Sequence, residues 1–296
     1  MLTPSAVSRH REYLDSVLDM AIQPLIGAGS VEIVGDIAQT LPVVFVGTIL
    51  GVRPSDFPLL RRWGESMVEG ADGWENVTDD VVSAVINWFE YFDDLAKSGY
   101  WDNGDGIIPL LLNAAKYGDQ ITYEQARGNA LAILIGGNET AKYLLSGALN
   151  VFARMPRTIE TYRSSPESYV NEIFRYVSPV VSSARSTTKD VVVGDEIIPA
   201  HSQVMLMLAS ANMDEKVFQN ASSFIPTRVG AAHLSLGFGP HYCIGASLAK
   251  IQVQALLDYL INNDLYIVPD YEKPLEMKAS TFLRGIRSMF AFVGRN

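Results

Sequence analysis

The chain has 296 residues, 48% of them hydrophobic, and a net charge of −10. This length and apolar content allow a large core, built as one helix-rich domain or as two closely packed ones. The acidic balance, without a cluster of Lys and Arg, argues against a nucleic-acid-binding surface. A single cysteine rules out a disulfide framework and favours a reducing cytoplasm, and no apolar run reaches the roughly 18 residues that span a bilayer. We therefore expect a soluble, cytoplasmic globular protein.

The N-terminal region has the spacing of helices. Thr3-Pro4 is typical of a helix N-terminus, and apolar residues recur at helical intervals from Val7 to Ile22. The run 31–50 is almost wholly apolar, which predicts a buried helix that ends at Gly51. We expect this region to contribute helices to the core.

Two further helices are predicted before residue 100. The segment 53–56 begins one that carries Trp63, Met67 and Val68. The second, over 79–95, is amphipathic, and its spacing predicts an inward face made of Val82, Val85, Ile86 and Phe89. Stripes of this sort are more often plain core than ligand contacts, so no substrate-binding role is assigned to them.

A very long helix is predicted over 122–155. It begins with a capping box, Thr122-Tyr-Glu-Gln125, but its middle contains adjacent glycines, Gly136 and Gly137, followed by Asn138 and Glu139. Each internal glycine costs about 1 kcal/mol relative to alanine. A conflict between local preference and fold is expected at a functional site. The alternative is a helix kinked for packing, with Glu139 facing solvent.

Charged residues after this helix give weaker signals. Glu172 and Arg175 lie three apart on one predicted helical face, and Arg228 ends the segment Phe224-Ile-Pro-Thr-Arg228. Most such pairs are exposed and contribute well under about 1 kcal/mol. Arg185 follows an apolar pair and, on its own, is consistent with a surface position on a strand.

The C-terminal third mixes strands with one helix. The alternation over 191–208, with turn residues at 194–195 and 199–200, predicts a hairpin leading to a buried strand. The apolar spacing of 246–260 predicts a helix, and 281–293 predicts short strands with a turn at 283–285.

The single cysteine, Cys243, lies in the stretch 234–248, just before the predicted helix. Glycines at 237, 239 and 245 surround it. Backbone N–H groups at a helix start stabilise a thiolate, and glycines allow a bound group to approach closely. One cysteine cannot hold zinc or an iron–sulfur cluster alone, but a single axial thiolate suffices for haem iron. The alternative is a buried cysteine in a helix-capping loop.

These motifs, in this order, resemble the cytochrome P450 family, and in particular its bacterial soluble members. Gly239, His241, Cys243 and Gly245 match the core of the family's cysteine loop, and 136–140 resembles the motif of its distal helix. The resemblance implies a mainly α fold with small β-sheets, in a single P450-like domain spanning residues 1–296. It also implies haem b, with its iron, as the cofactor.

The resemblance further implies a role for each matching residue. Cys243 would be the axial iron ligand. The haem-contacting positions would be His241, Arg185, Gly239, Gly245, Leu236 and Phe238. The catalytic segment would be Gly136, Gly137, Glu139 and Thr140, in which a local widening admits dioxygen while Glu139 and Thr140 relay protons. A buried structural ion network would consist of Glu172, Arg175 and Arg228.

Two departures from the family pattern are visible. Leu236 stands where the family signature has Phe, which leaves the sulfur less shielded. The chain also begins where the family has already passed its N-terminal strands and first helices. Four origins of the short length remain open: a gene fragment, a misplaced start codon, a partner chain that completes the fold, and a short homologue with altered function.

The sequence favours a haem-thiolate monooxygenase core. By the resemblance, it would oxidise an apolar small molecule, of the kind found in secondary metabolism, with dioxygen and electrons from a ferredoxin or flavin reductase. The alternative is a P450-fold protein without oxygenase activity, acting as a binding or partner subunit or as a haem-free catalyst. A sheet that lacks the family's N-terminal strands would leave an edge at which a completing chain or a second copy could pair.

Overall fold

Helices make up most of the computed structural model, which describes residues 2–99, 104–118, 121–230 and 232–296. The α-helices are α1 (Pro4–Ser8), α2 (Arg11–Ile22), α3 (Thr40–Leu50), α4 (Phe57–Glu69), α5 (Asp79–Lys97), α6 (Ile107–Tyr117), α7 (Tyr123–Arg154), α8 (Ile159–Ser164), α9 (Pro166–Val177), α10 (Leu208–Ala211) and α11 (Ala246–Asn262). None of these described helices combines the length and the apolar character needed to cross a membrane.

The strands form small antiparallel sheets. They are β1 (Ser30–Glu32), β2 (Ser183–Ser186), β3 (Val191–Val193), β4 (Glu196–Ile198), β5 (Gln203–Leu206), β6 (Leu265–Pro269), β7 (Glu276–Ala279), β8 (Arg284–Ser288) and β9 (Phe290–Arg295). One sheet has the order β1-β9-β6, and the other pairings are β2 with β5, β3 with β4, and β7 with β8. The mainly α fold with small sheets predicted from the sequence is confirmed.

Helix α7 is the element on which the core is assembled. The predicted capping box is present: the Thr122 hydroxyl accepts from the Gln125 N–H, and the Gln125 side chain accepts from the Thr122 N–H. The helix then contacts α3, α4, α6, α9 and α11. Its C-terminal half is buried on almost every side, which places its centre between elements from both ends of the chain.

The segment 31–50 is not one helix, as its apolar run predicted. Residues 30–32 form β1, which pairs with β9, and a π-helix (Val34–Gln39) follows before α3 begins. The Glu32 carboxylate favours the change from strand to π-helix, because it accepts from the N–H groups of Val34 and Gly35. A continuous apolar run carries no periodicity, so it cannot distinguish a buried strand from a buried helix.

The inward face of α5 was also predicted wrongly. Val82 and Ile86 are 45% and 50% exposed, whereas Val85 and Phe89 are half-buried. The buried face instead consists of Val81, Ala84, Trp88, Phe92 and Leu95. The Trp88 ring packs edge to face on Trp63 of α4, with centroids 6.3 Å apart. This aromatic contact rotates the helix away from the aliphatic stripe that the spacing had favoured.

Two predictions near the C-terminus need correction. The strand after the hairpin, β5, is not buried, since Met205 and Leu206 are 53% and 41% exposed. The predicted turn at 283–285 lies earlier, because the Ser280 hydroxyl bonds the backbone of Leu283 and residues from Arg284 onward belong to β8. The hairpin β3–β4 is present, and its turn uses Gly194 at φ 59°.

Candidate active site

The Cys243 loop closes on itself before α11 begins. The Cys243 N–H donates to the Leu236 carbonyl at 2.8 Å, and the Ala249 N–H donates to the Gly245 carbonyl at 2.9 Å. Gly237 and Gly239 have φ values of 72° and 66°, in the left-handed region that favours glycine. The glycines therefore let the loop turn tightly and present the sulfur at the start of a helix.

The Cys243 thiol is half-buried in this loop. Burial raises its pKa, and a hydrogen bond from the Gly245 backbone opposes that effect only in part. The expectation that the loop by itself favours a thiolate is therefore wrong. Because a thiol that binds a metal must lose its proton, the sulfur can become anionic when a cation binds it.

The surroundings of Cys243 fit haem better than a bare metal ion. Its loop neighbours Phe238 and Ile244 are 85% and 73% exposed, and a Cβ built on Gly239 meets no atom within 4 Å. Among the described residues, no group of three or more His, Cys, Asp or Glu side chains could hold a metal ion. A lone sulfur between exposed apolar side chains would suit the single thiolate that holds a haem iron.

His241 and Arg185, two of the predicted haem-contacting residues, lie on exposed parts of the chain. His241 ends a short 3₁₀ turn that precedes Cys243 by two residues. The Arg185 guanidinium on β2 is held locally, with Nη1 donating to Ser183 Oγ and to the Ala184 carbonyl, both at 2.7 Å. Both side chains can reach a carboxylate at the surface, and their haem-binding roles remain predictions.

The centre of α7 shows why it tolerates two glycines. Thr140 Oγ1 donates to the Gly136 carbonyl at 2.5 Å, and a Cβ on Gly136 would meet nothing within 4 Å. In contrast, a Cβ on Gly137 would lie 2.7 Å from Val46 Cγ2 of α3. Gly136 thus borders open space beside the Thr140 hydroxyl, whereas Gly137 permits close packing of two helices.

Glu139 is buried in a charged environment. Its Oε2 lies 3.3 Å from Lys142 Nζ, and the two residues are 4% and 7% exposed. Burial raises the pKa of Glu139, and the Lys142 ammonium opposes that rise. Its Oε1 is 3.5 Å from Nε2 of Gln39, which is also buried. Burial and the nearby Glu139 carboxylate raise the pKa of Tyr143.

A polar cavity of about 280 Å³ lies against Glu139. Its acidic lining residues are Glu32, Glu65, Glu69 and Glu139, and its basic ones are Arg61, Lys142, Lys278 and Arg287. The balance of charges suits water rather than an apolar ligand. Sequence reasoning missed Gln39 and Lys142. Only Lys142 had a readable signal, because Glu139 and Lys142 have the i, i+3 spacing of Glu172 and Arg175.

Asn138, the residue before Glu139, is 1% exposed. Neither polar atom of its side chain has a hydrogen-bond partner among the described residues. Its Nδ2 fills the place of a missing side chain on α4, because a Cβ built on Gly64 would lie 2.5 Å away. The amide therefore packs α4 closely against α7.

The network around Glu172 is buried and closely bonded. Arg175 Nη2 and Nε donate to the two Glu172 oxygens at 2.7 and 2.8 Å, and Arg228 Nε lies 3.2 Å from Oε2. Arg175 Nη1 also donates to the carbonyls of Asn212 and Ala221. The network ties α9 to the segments that precede the Cys243 loop.

A second cavity, of about 390 Å³, extends from this network to the Cys243 loop. Tyr242, which adjoins Cys243, lines it together with Arg228, His233 and Lys250. Burial, and then the Lys250 charge, lower the pKa of His233 to about 4, so the ring is neutral near pH 7. The ring stacks on Phe174 with centroids 5.5 Å apart. The cationic side chains give this face a positive character.

Comparison with known proteins finds relatives to which this chain is similar. The family profile described as Cytochrome P450 matches residues 167–288. A "Steroid C26-monooxygenase" of Mycolicibacterium smegmatis is 28% identical over 92% of this chain and 69% of its own length. "Cytochrome P450 109" of Bacillus spizizenii is 28% identical over 97% of this chain and 73% of its own.

Solved structures agree with these relatives. The crystal structure of CYP109E1 from Bacillus megaterium in complex with testosterone superposes with a TM-score of 0.89. The two chains are 26% identical, and the match covers 98% of this chain and 78% of the other. The fold and the order of its elements are therefore shared along almost the whole described chain.

Proposed function

We propose that the chain is a cytochrome P450 monooxygenase that oxidises an apolar small molecule with dioxygen, using haem held by Cys243. The relatives named for steroid C26 oxidation and the testosterone-bound structure support a substrate that is large and apolar. When bound, haem supplies the oxidising chemistry, while the protein supplies ligation, orientation and protons.

The observation that carries this proposal is the centre of α7. A hydroxyl, Thr140 Oγ1, borders open space beside Gly136, and the next residue toward the N-terminus is a buried acid with a raised pKa. A carboxyl whose pKa is raised holds its proton to a higher pH than a free carboxyl does. Glu139 would therefore store the proton and Thr140 would orient it toward the substrate side.

On the opposite side, Cys243 would hold the iron. The Gly245 hydrogen bond stabilises the anionic sulfur, and the exposed Phe238 and Ile244 would lie against the apolar ring. Guanidinium and imidazole groups are suited to bind carboxylates. Arg185 and His241 would then bind the carboxylates of the cofactor.

We also propose that electrons come from a separate acidic carrier, a ferredoxin or a flavin reductase. The cavity beside Tyr242 adjoins the Cys243 loop and has Arg228 and Lys250 in its lining. Positive side chains near the sulfur would steer a negatively charged partner to the shortest path for electron transfer. The net charge of −10 makes such a local positive region stand out from the rest of the chain.

The first test is the absorbance spectrum of the purified chain, reduced and exposed to carbon monoxide, after expression with added haem precursor. We expect the long-wavelength Soret band typical of a thiolate-ligated ferrous–CO haem. Cys243→Ser should lose that band, while Ser146→Ala, a change at a buried residue of α7, should keep it. Oxidation of a steroid panel with a ferredoxin pair then tests the substrate class.

Two results would contradict the proposal. One is a folded chain that shows no haem band, which would favour the alternative of a protein without oxygenase activity. The other is a long-wavelength band that persists in Cys243→Ser, which would place the ligand elsewhere.

A further inference from the structure

The cavity of about 390 Å³ beside Tyr242 is lined by more cations than carboxylates. Its charged lining residues are Arg175, Arg228, Lys250 and Glu172. The imidazole of His233 adds no charge near pH 7, because burial lowers its pKa to about 4. Three cations face one carboxylate, so two positive charges of the lining are not balanced within it. In a chain whose net charge is −10, such an excess in one concave site favours an anion as the occupant.

The two guanidinium groups supply charge to the cavity but few free hydrogen bonds. Arg175 donates to both oxygens of Glu172 and to three backbone carbonyls. Arg228 donates to Glu172 and likewise to three backbone carbonyls. An anion in the cavity is therefore attracted by both charges, while it takes most of its hydrogen bonds from other residues.

Three other lining side chains have donors that the described part of the chain does not use. The Lys250 ammonium of α11, the Asn171 amide of α9 and the Tyr242 hydroxyl make no hydrogen bond or ion pair with another described residue. Lys250 and Asn171 are half-buried, and Tyr242 is exposed. An ammonium, an amide and a hydroxyl are donors that the oxygens of a phosphate accept. They reach the cavity from three separate segments of the chain.

We propose that this cavity binds a small phosphate monoester, whose phosphoryl oxygens accept from Lys250 and Asn171 and whose organic group lies against Tyr242. A phosphate monoester carries close to two negative charges at pH 7, which matches the unbalanced charge of the lining. The volume is that of a small-molecule site, so the phosphoryl group leaves room for an organic group. The rings of Phe218 and Tyr242 line the same space and offer that group apolar contacts.

Calorimetric titration of the haem-loaded chain with phenyl phosphate, near pH 7 and at constant ionic strength, tests the site. We expect saturable binding, and weaker binding of inorganic phosphate, which lacks the organic group. Lys250→Met should weaken the affinity for phenyl phosphate by about tenfold, because it removes one charged hydrogen bond. The matched control is Lys189→Met, which removes an exposed lysine outside the cavity lining and should leave the affinity unchanged.

A second variant keeps the test decisive if Lys250→Met fails to fold. Asn171→Asp places a carboxylate of nearly the same size in the lining, and its repulsion should weaken the affinity for phenyl phosphate by about tenfold or more. A variant that folds with wild-type affinity, at either position, would place the bound phosphate outside the cavity and overturn the proposal.

The proposed electron carrier gives the competing result. Binding of a ferredoxin by a chain that binds neither phenyl phosphate nor inorganic phosphate would assign the cavity to the carrier alone. That result would overturn the phosphate site and leave the proposed oxygenase function intact. Absence of the thiolate-type Soret band, in contrast, would contradict the proposed function without affecting the phosphate titration.

Discussion

Two buried ion pairs share the same i, i+3 spacing on their helices, yet they differ in how completely they are bonded. Glu172 accepts from Arg175 at 2.7 and 2.8 Å, from the Ile225 N–H at 2.8 Å, and from Arg228. Glu139 has longer contacts, 3.3 Å to Lys142 and 3.5 Å to Gln39, and it borders a polar cavity. Sequence spacing therefore does not distinguish the structural pair from the other one.

The difference indicates what each pair can do. A buried carboxylate with several short hydrogen bonds from cations holds together the elements that it joins. A carboxylate with longer contacts and adjacent solvent can gain and lose a proton at modest cost. The first arrangement suits the scaffold behind the Cys243 loop, and the second suits proton transfer beside Thr140.

The largest effect on stability is expected at the Glu172–Arg175 pair. Arg175→Leu would leave the Glu172 carboxylate and the carbonyls of Asn212 and Ala221 without their main donor. We expect the free energy of unfolding, measured by urea denaturation, to fall by about 3–5 kcal/mol. The matched control is Arg163→Leu, which breaks an exposed i, i+3 pair with Glu160 and should cost under about 1 kcal/mol. Similar losses in both variants would show that the buried network carries no special stability.

A smaller effect on stability, which depends on pH, is expected at the Glu139–Lys142 pair. Because Glu139 has a folded pKa raised above its usual value of 4.5, its contribution to stability is fully present below pH 4.5 and is lost as pH rises through the folded pKa. Lys142→Met should raise that pKa further and cost about 2 kcal/mol at pH 7, because it leaves a buried carboxylate without its ammonium. The cost should shrink toward pH 4.

The measurement is urea unfolding of Lys142→Met and wild type between pH 4 and pH 8. Lys97→Met, which removes a largely exposed partner of Asp94, is the control and should show no pH-dependent difference from wild type. A Lys142→Met cost that is the same at pH 4 and pH 7 would contradict the assignment of the pH dependence to Glu139.

The smallest effects on stability are expected at Gly136 and Gly137, the two glycines that precede Glu139, and they should have opposite signs. Gly136→Ala should raise the free energy of unfolding by about 1 kcal/mol, since alanine favours a helix interior and the Cβ enters open space. Gly137→Ala should lower it by a similar amount, because the Cβ meets the stiff Val46 side chain. Thermal unfolding of the two variants side by side tests this. Stabilisation of both would mean that α3 can retreat from α7 at no cost.

Local signals account for the parts of the molecule that the sequence predicted well. The capping box at Thr122 and Gly51, which ends α3, each act within one helical turn. The residues that determine these two features are therefore close together in the sequence. The Cys243 loop is similarly local, because its glycines, its sulfur and its exposed neighbours lie within nine residues. Such features can be located by inspection of the chain alone.

Long-range contacts account for the rest. β1 is a strand because β9, some 260 residues later, pairs with it, and α5 turns its Trp88 inward because Trp63 is there to receive it. Gln39 contacts a residue 100 positions away. The periodicity of the sequence does not predict these tertiary contacts. The contact of Gln39 with Glu139 and the raised pKa of Cys243 could therefore be found only from the structure.

The solitary thiol gives this chain a single attachment point for probes. A maleimide-linked spin label would attach at one position, at the mouth of the loop before α11, with no need to remove other cysteines. The mobility of the label would report on that loop alone. Any ligand that binds the Cys243 sulfur would block the labelling reaction. Occupancy of Cys243 can thus be followed by mass spectrometry, independently of colour or turnover.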